Sequence, residues 1–242
     1  MLLKPLDGFH SAIVLLAAML LSACGGGIGN PTPSPQGTYD LQAAVEALVT
    51  SGLSASVSLS GTVIVNGTSV PVTGTGTLTL SPGASGMFNG STAQLQTESI
   101  SGTISAAGQS APYSSSVVNA YEPSTASIVG QSQSSEFDVA QAPIAIPTTV
   151  GTSVTVLGTM SRYADSTLSV ALGTVQVSVA VALIPVDPGS PEVVQFTYKI
   201  FDTNQALVET DTYSYSLSQD NLLSFHSAAT QSASGSLAVT AE

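Results

Sequence analysis

Apolar residues repeat along this chain with two different periods, and the change falls near residue 52. From Tyr39 to Ser51, the residues Leu41, Ala44, Val45, Leu48 and Val49 recur at i, i+3, i+4, i+7 and i+8. That spacing lays one stripe along an α-helix. Thr38 or Asp40 can cap its start, and Gly52 suits its end. The stripe predicts a short helix packed on a sheet.

From Ala55 onward the period is two, and β-branched residues alternate with Ser, Gly and Asn. Asn66-Gly67 is the dipeptide favoured in a type I′ turn, because both residues tolerate positive φ. A two-residue turn pairs Val65 with Thr68 and Val63 with Val70. The same register sets Gly61 against Val72, Leu59 against Gly74 and Val57 against Gly76. Glycines on an apolar face permit close approach of another element, here the helix, or leave a shallow groove. Ser60-Gly61-Thr62-Val63 recurs as Ser101-Gly102-Thr103-Ile104 with its glycine, serine and proline offsets kept. Two similar hairpins lying side by side are expected.

Pro143 and Pro147 mark a crossing at Ala142–Thr148. Further strands are predicted near Ser153–Arg162, Thr167–Leu172, Val175–Ile184, Val193–Phe201, Ala206–Leu217, Leu222–Thr230 and Ser236–Thr240. Gly173 marks a bulge or turn between two of them. Near Asp202–Gln205, a three-residue loop would pair Lys199 with Glu209 and a two-residue loop would set Lys199 opposite Val208; charge matching favours the former. Together these elements predict an all-β fold over residues 39–242. It is an antiparallel sandwich or a curled half-barrel, with one N-terminal helix packed on the sheet.

The residues before the helix read differently. Lys4 precedes an apolar run from Ala12 to Leu21, long enough for a signal-peptide core and too short to span a bilayer. Leu21-Ser22-Ala23-Cys24 resembles the lipobox of bacterial lipoproteins at all four positions. The resemblance implies a signal peptide over 1–23, cleavage before Cys24, and a diacylglycerol on the Cys24 thiol. Cys24 is the single cysteine of the chain, so it has no disulfide partner. Residues 24–38, rich in glycine and then proline, read as a tether from bilayer to domain. Gly25 stands where aspartate would retain such a protein at the inner membrane, which implies an outer-membrane destination. The domain's outline also resembles, by architecture alone, the periplasmic lipoproteins that carry lipid in a half-barrel.

Composition narrows the function. The net charge is −12 and charged residues make up 7% of the chain. Cleavage leaves Arg162 and Lys199 as the cations. Such a chain has no electrostatic footprint for nucleic acid, and anionic lipid surfaces repel it. No nucleophile elbow, phosphate loop, zinc motif or dinucleotide fingerprint is present, and no cofactor is implied. His226 is the one histidine after the leader, too few for a zinc site of the usual kind. It reads as a strand residue rather than a catalytic base. Glu136 with Asp138, and Glu209 with Asp211, would share strand faces, but no calcium-loop pattern surrounds them.

The most distinctive cluster is Arg162-Tyr163-Ala164-Asp165-Ser166-Thr167. Arg162, Tyr163 and Asp165 are the candidate ligand-binding residues. A plain turn with an Arg162–Asp165 contact is the competing reading. Tyr198, Tyr213 and Tyr215 read as sheet-face packing, or as a platform for carbohydrate or peptide. The leading expectation is a non-enzymatic envelope domain, held at the membrane through Cys24, that binds a partner protein or has a structural role. A carrier of lipid or another apolar ligand comes second, and a hydrolase last.

Overall fold

The helix α1 spans Leu41–Ser51 in the computed structural model, which describes residues 40–182, 192–218, 220 and 222–242. Asp40 caps it, its carboxylate accepting from the Ala43 N–H at 3.0 Å. Leu41, Ala44, Val45 and Val49 are its buried stripe, and Gly52 ends it at φ +68°. The leader, Cys24 and the tether lie outside the described residues.

Strands β1 (Leu53–Val65) and β2 (Thr68–Leu80) form the expected hairpin. Asn66 and Gly67 take φ +51° and +77°. Val65 pairs with Thr68, Gly61 with Val72 and Leu59 with Gly74, in the register that turn and alternation specify. β3 (Ala84–Phe88) and β4 (Ser91–Ala106) follow, then β5 (Gln109–Tyr121), β6 (Ile128–Gln133) and β7 (Glu136–Ile144). Residues 145–154 then lead into β8 (Thr155–Tyr163), β9 (Ala171–Ala182) and β10 (Glu192–Phe201). β8 pairs directly with β7, so the expected crossing between two groups of strands is a plain connection within one sheet. The chain finishes with β11 (Leu207–Leu217), β12 (Leu223–Ser232) and β13 (Gly235–Ala241).

From β4 to β13 each strand pairs antiparallel with the next. Two further pairings close the ring. β13 returns to β1, with Leu237 opposite Gly61, and β2 lies against β4, with Gly76 opposite Gly102. The result is a closed barrel of twelve strands, with β3 as an extra strand beside the start of β4. This corrects the expected sandwich or half-barrel. Closure satisfies the strand edges that either alternative would leave open. The repeated hairpins do lie side by side, and their contact is one of the two seams.

The row of glycines has a different cause from the one expected. A Cβ on Gly61 would strike the backbone of Ser236 and Leu237, and one on Gly74 the backbone of Thr103 and Ile104. On Gly76 it would meet the backbone of Ser101 and Gly102. The missing side chains therefore let neighbouring strands bend together, as a barrel corner requires. Neither the helix nor a groove accounts for them.

The helix closes one end of the barrel. Its Leu41 N–H donates to the Thr148 carbonyl in the β7–β8 connection, and its Val49 carbonyl accepts from Gly83 between β2 and β3. Its buried stripe belongs to the same core as Val57, Leu59, Val175, Val177, Val179 and Val239 inside the barrel.

Outside, β1 carries Ser54, Ser56, Ser58 and Ser60, β2 carries Thr73, Thr75 and Thr77, and β4 carries Ser99, Ser101 and Thr103. These strands present hydroxyls where a membrane barrel would meet lipid with an apolar band. On the outer face of β5–β7, Phe88 stacks on Phe137 with ring centroids 4.7 Å apart.

Two local expectations change. Residues 164–170 form a turn rather than a strand over Thr167–Leu172, and β9 begins at Ala171. A bulge between Ile200 and Phe201 sets Lys199 opposite Thr210 and Ile200 opposite Glu209. The added residue moves Lys199 and Glu209 out of register.

Candidate functional site: the barrel lumen

Alternation sends every second side chain inward, and on β4 to β8 one inward ladder is polar throughout. Gln96 pairs with Asn119, Asn119 with Gln131, Gln131 with Asp138, and Asp138 with Arg162. Asp138 is 1% exposed and Arg162 7%. Arg162 grips Asp138 through Nε at 3.0 Å and Nη2 at 3.1 Å, and reaches Glu136 at 3.3 Å. Gln131 Nε2 donates to the second Asp138 oxygen at 2.8 Å. The buried carboxylate therefore has a bidentate partner and an amide donor, the arrangement a charge needs away from water. Burial works against the Arg162 charge, but Asp138, Glu136 and Glu209 outweigh it and hold its pKa above the usual value.

β11 faces this band from across the lumen with Glu209, Asp211, Tyr213 and Tyr215 at alternate positions. Thr230 donates its hydroxyl to Asp211 at 2.7 Å. Burial raises the pKa of both carboxyls, and for Glu209 the neighbouring Asp211 adds to the effect. Glu98 on β4 is pushed up to about 7 by burial, against the hydrogen bond from Asn119 that favours its charge. Glu136 is raised by burial as well, despite Arg162.

Between this charged end and the helix lies a cavity of about 50 Å³. Tyr121, Tyr198, Tyr213, Tyr215 and Phe196 supply aromatic walls, and Glu98, Asn119 and Gln131 a polar side. Val45 and Leu48 of α1 line it from above, with Leu80, Ile128, Ile146 and Leu223. Tyr198 meets Tyr213 edge to face at 5.7 Å, and Phe196 meets Tyr215 in the same way at 6.4 Å. Burial keeps all four phenols neutral, with Glu98 adding to the effect on each. Glu98, Tyr198 and Tyr213 remain only half-buried although they face inward. The accessible remainder faces the lumen. Gln96, fully buried, gives its amide to the Leu48 carbonyl at 2.9 Å, and its own oxygen has no partner.

The candidate ligand residues part company. Arg162 points into the lumen and pairs with Asp138 and Glu136 rather than Asp165. Tyr163 has the opposite parity on β8, opposite Phe137. Asp165 is exposed in the turn, where its carboxylate accepts from the Thr167 N–H at 2.8 Å and the Thr167 hydroxyl at 2.6 Å. Those bonds hold its pKa below the usual carboxylate value. His226 is exposed beside a bulge of β12, and its side chain makes no hydrogen bond or ion pair with the described residues. Glu136 and Asp138 do share a face, as do Glu209 and Asp211. Among the described residues no group of His, Cys, Asp and Glu is placed to hold a metal ion.

Sequence reasoning read Tyr198, Tyr213 and Tyr215 as sheet-face packing or a binding platform but missed their partners Glu98, Asn119, Tyr121 and Gln131. A signal existed. Glu98 falls on the same parity as Ile100 and Ile104, so a carboxyl interrupts an inward apolar face.

No protein-family model matches the chain, and no curated protein matches it. Among solved structures, it aligns with a domain from Vibrio parahaemolyticus described as an outer membrane lipoprotein-sorting protein. The identity is 9%, the alignment covers 84% of this chain and 90% of that one, and the TM-score is 0.25. A DUF1329 family protein from Desulfovibrio piger aligns at 10% identity over 83% of this chain and 91% of that one, also with a TM-score of 0.25. Superposition at that level bears on neither the fold nor the function of this chain.

Proposed function

We propose that this chain is a lipid-anchored, non-enzymatic envelope protein that binds a small amphipathic ligand in the lumen of its barrel. The reading is carried by the cavity under α1, where four tyrosines and Phe196 meet Glu98, Asn119 and Gln131. Ligand sites combine apolar walls with a few convergent polar groups, as this one does. Catalysis has less support, because His226 stands outside on β12 and away from this constellation.

Size bears on the choice of ligand. A cavity of about 50 Å³ is well below the roughly 150 Å³ that admits benzene, so even a small organic ligand requires α1 or the ring walls to shift. Pockets for drug-sized ligands reach roughly 300 Å³ and more, so a lipid chain would have to displace the helix. The anchor comes from Leu21-Ser22-Ala23-Cys24, with two or more acyl chains giving stable attachment. Gly25 supports an outer-membrane location.

Native mass spectrometry of the protein released from its membrane in a mild non-ionic detergent tests this reading. A retained adduct of small-molecule mass is expected, and Leu48→Trp, which fills the cavity from the helix side, should remove it. A phospholipid mass would overturn the small-ligand reading in favour of lipid carriage. Absence of any adduct, even after small amphiphiles are added, would overturn both.

A further inference from the structure

The lumen holds several carboxyl groups and one guanidinium, and that guanidinium is already engaged. Arg162 is committed to Asp138 and Glu136. Lys199 is exposed, with the parity opposite to that of Tyr198. Neither cation is among the groups that act on Glu98, whose one polar partner there is Asn119. Glu98 thus stands at the edge of an aromatic cavity with no positive partner, although part of its surface is accessible from the lumen.

The rings beside it have the matching character. An aromatic face carries the negative lobe of its quadrupole and attracts a cation within about 6 Å of the ring centre, more strongly where water is excluded. An anion would meet Glu98 and Asp211 together. An uncharged ligand would gain from the rings but leave Glu98 unmatched. We propose that the cavity under α1 is a site for a small organic ammonium ion, held among the rings of Tyr121, Tyr198 and Tyr213 and by the Glu98 carboxylate. The inference rests on the lumen-binding reading above and adds the chemical class of the ligand.

Ionisation of Glu98 then governs affinity. The groups that face it are Tyr121 from β5, Tyr198 from β10, and Asp211, Tyr213 and Tyr215 from β11, with Asn119 bonded to it. The phenols stay neutral at ordinary pH. Glu98 and Asp211 are therefore the groups that change charge, and both become negative as pH rises.

Choline and its uncharged carbon isostere 3,3-dimethylbutan-1-ol separate charge from shape. Titrations would use the full lipidated chain in maltoside detergent, followed by calorimetry and by tyrosine fluorescence, since the chain has no tryptophan. At pH 8 choline should bind at least tenfold more tightly than the alcohol. At pH 5 the preference should fall to within about threefold, a comparison that needs no variant. Glu98→Gln should bring it to a similar value at pH 8.

Equal binding of the two probes at pH 8, or an undiminished preference in Glu98→Gln, would overturn the ammonium assignment while leaving lumen binding intact. If neither probe bound at any pH, both readings would fall.

Discussion

Arg162 and Asp138 stabilise one another inside the barrel, and removing either alone is costly. Arg162→Met would leave a buried carboxylate with an amide as its remaining close partner. Breaking a buried pair in this way costs about 3–5 kcal/mol, a fall in Tm of roughly 10 °C for a domain of this size. Asp138→Asn in the same chain should restore most of the loss, and thermal unfolding of the two variants reads the difference.

Glu98 behaves in the opposite sense from a salt-bridged acid. Its pKa rises from 4.5 unfolded to about 7 folded because burial penalises its charge. Below about pH 4 it is protonated in both states and contributes nothing. Between those values the folded state keeps a proton that the unfolded state has lost, so stability declines as pH rises, and the loss is complete above the folded pKa. Glu209 and Asp211 are shifted in the same direction. The Tm should therefore be several degrees higher at pH 5 than at pH 8.5. Glu98→Gln should stabilise the fold at pH 8.5 by on the order of 2 kcal/mol, a rise in Tm of several degrees, and leave pH 5 almost unchanged. A Tm that peaked at pH 8.5 would contradict this view of the lumen.

At the scale of elements, glycine serves two purposes that a substitution can separate. Gly67 sits at φ +77° in the β1–β2 turn with open space around it, whereas Gly74 is crowded by the backbone of β4. Gly67→Ala carries a conformational penalty of about 1 kcal/mol. Gly74→Ala must push two paired strands apart and should cost roughly 2–3 kcal/mol or more, visible as the larger drop in denaturation midpoint.

The β1–β2 hairpin was legible in the sequence because Asn66-Gly67 and the alternation agree on one register. The helix was legible from its stripe and from Gly52. Closure was not, because alternation fixes which face a residue takes and not which strand becomes its neighbour. The β13–β1 seam joins opposite ends of the described chain. Lys199 illustrates a smaller gap: one extra residue on β11, Val208, shifts the pairing at Ile200 and Phe201, and nothing in Asp202–Gln205 announces it. In the candidate site, the tyrosines of β10 and β11 were legible as sheet-face residues. Asn119 and Gln131 were not, and the break that Glu98 makes in an apolar face does not name its partners, since their meeting depends on how successive strands are staggered around the barrel.

For the whole molecule, hydroxyls on the outer face of β1, β2 and β4 and apolar, aromatic and acidic groups on the inner face describe a closed barrel with a furnished lumen. In the proposed arrangement the chain before Asp40 ties that barrel to a bilayer through Cys24. Cys24→Ser should abolish labelling with radioactive palmitate and leave uncleaved precursor in membrane fractions. Normal cleavage of the variant would identify the leader as an ordinary signal peptide and release the domain from its anchor.

Lumen binding can be read most directly from inside the lumen. Tyr213→Trp would place the single indole of the chain on the cavity wall, since tryptophan is otherwise absent. Titration of that variant with small amphipathic amines and alcohols should shift its emission saturably, at concentrations matching those at which calorimetry detects binding. Saturable calorimetric binding with no change in the indole emission would place the site outside the lumen and contradict the proposal.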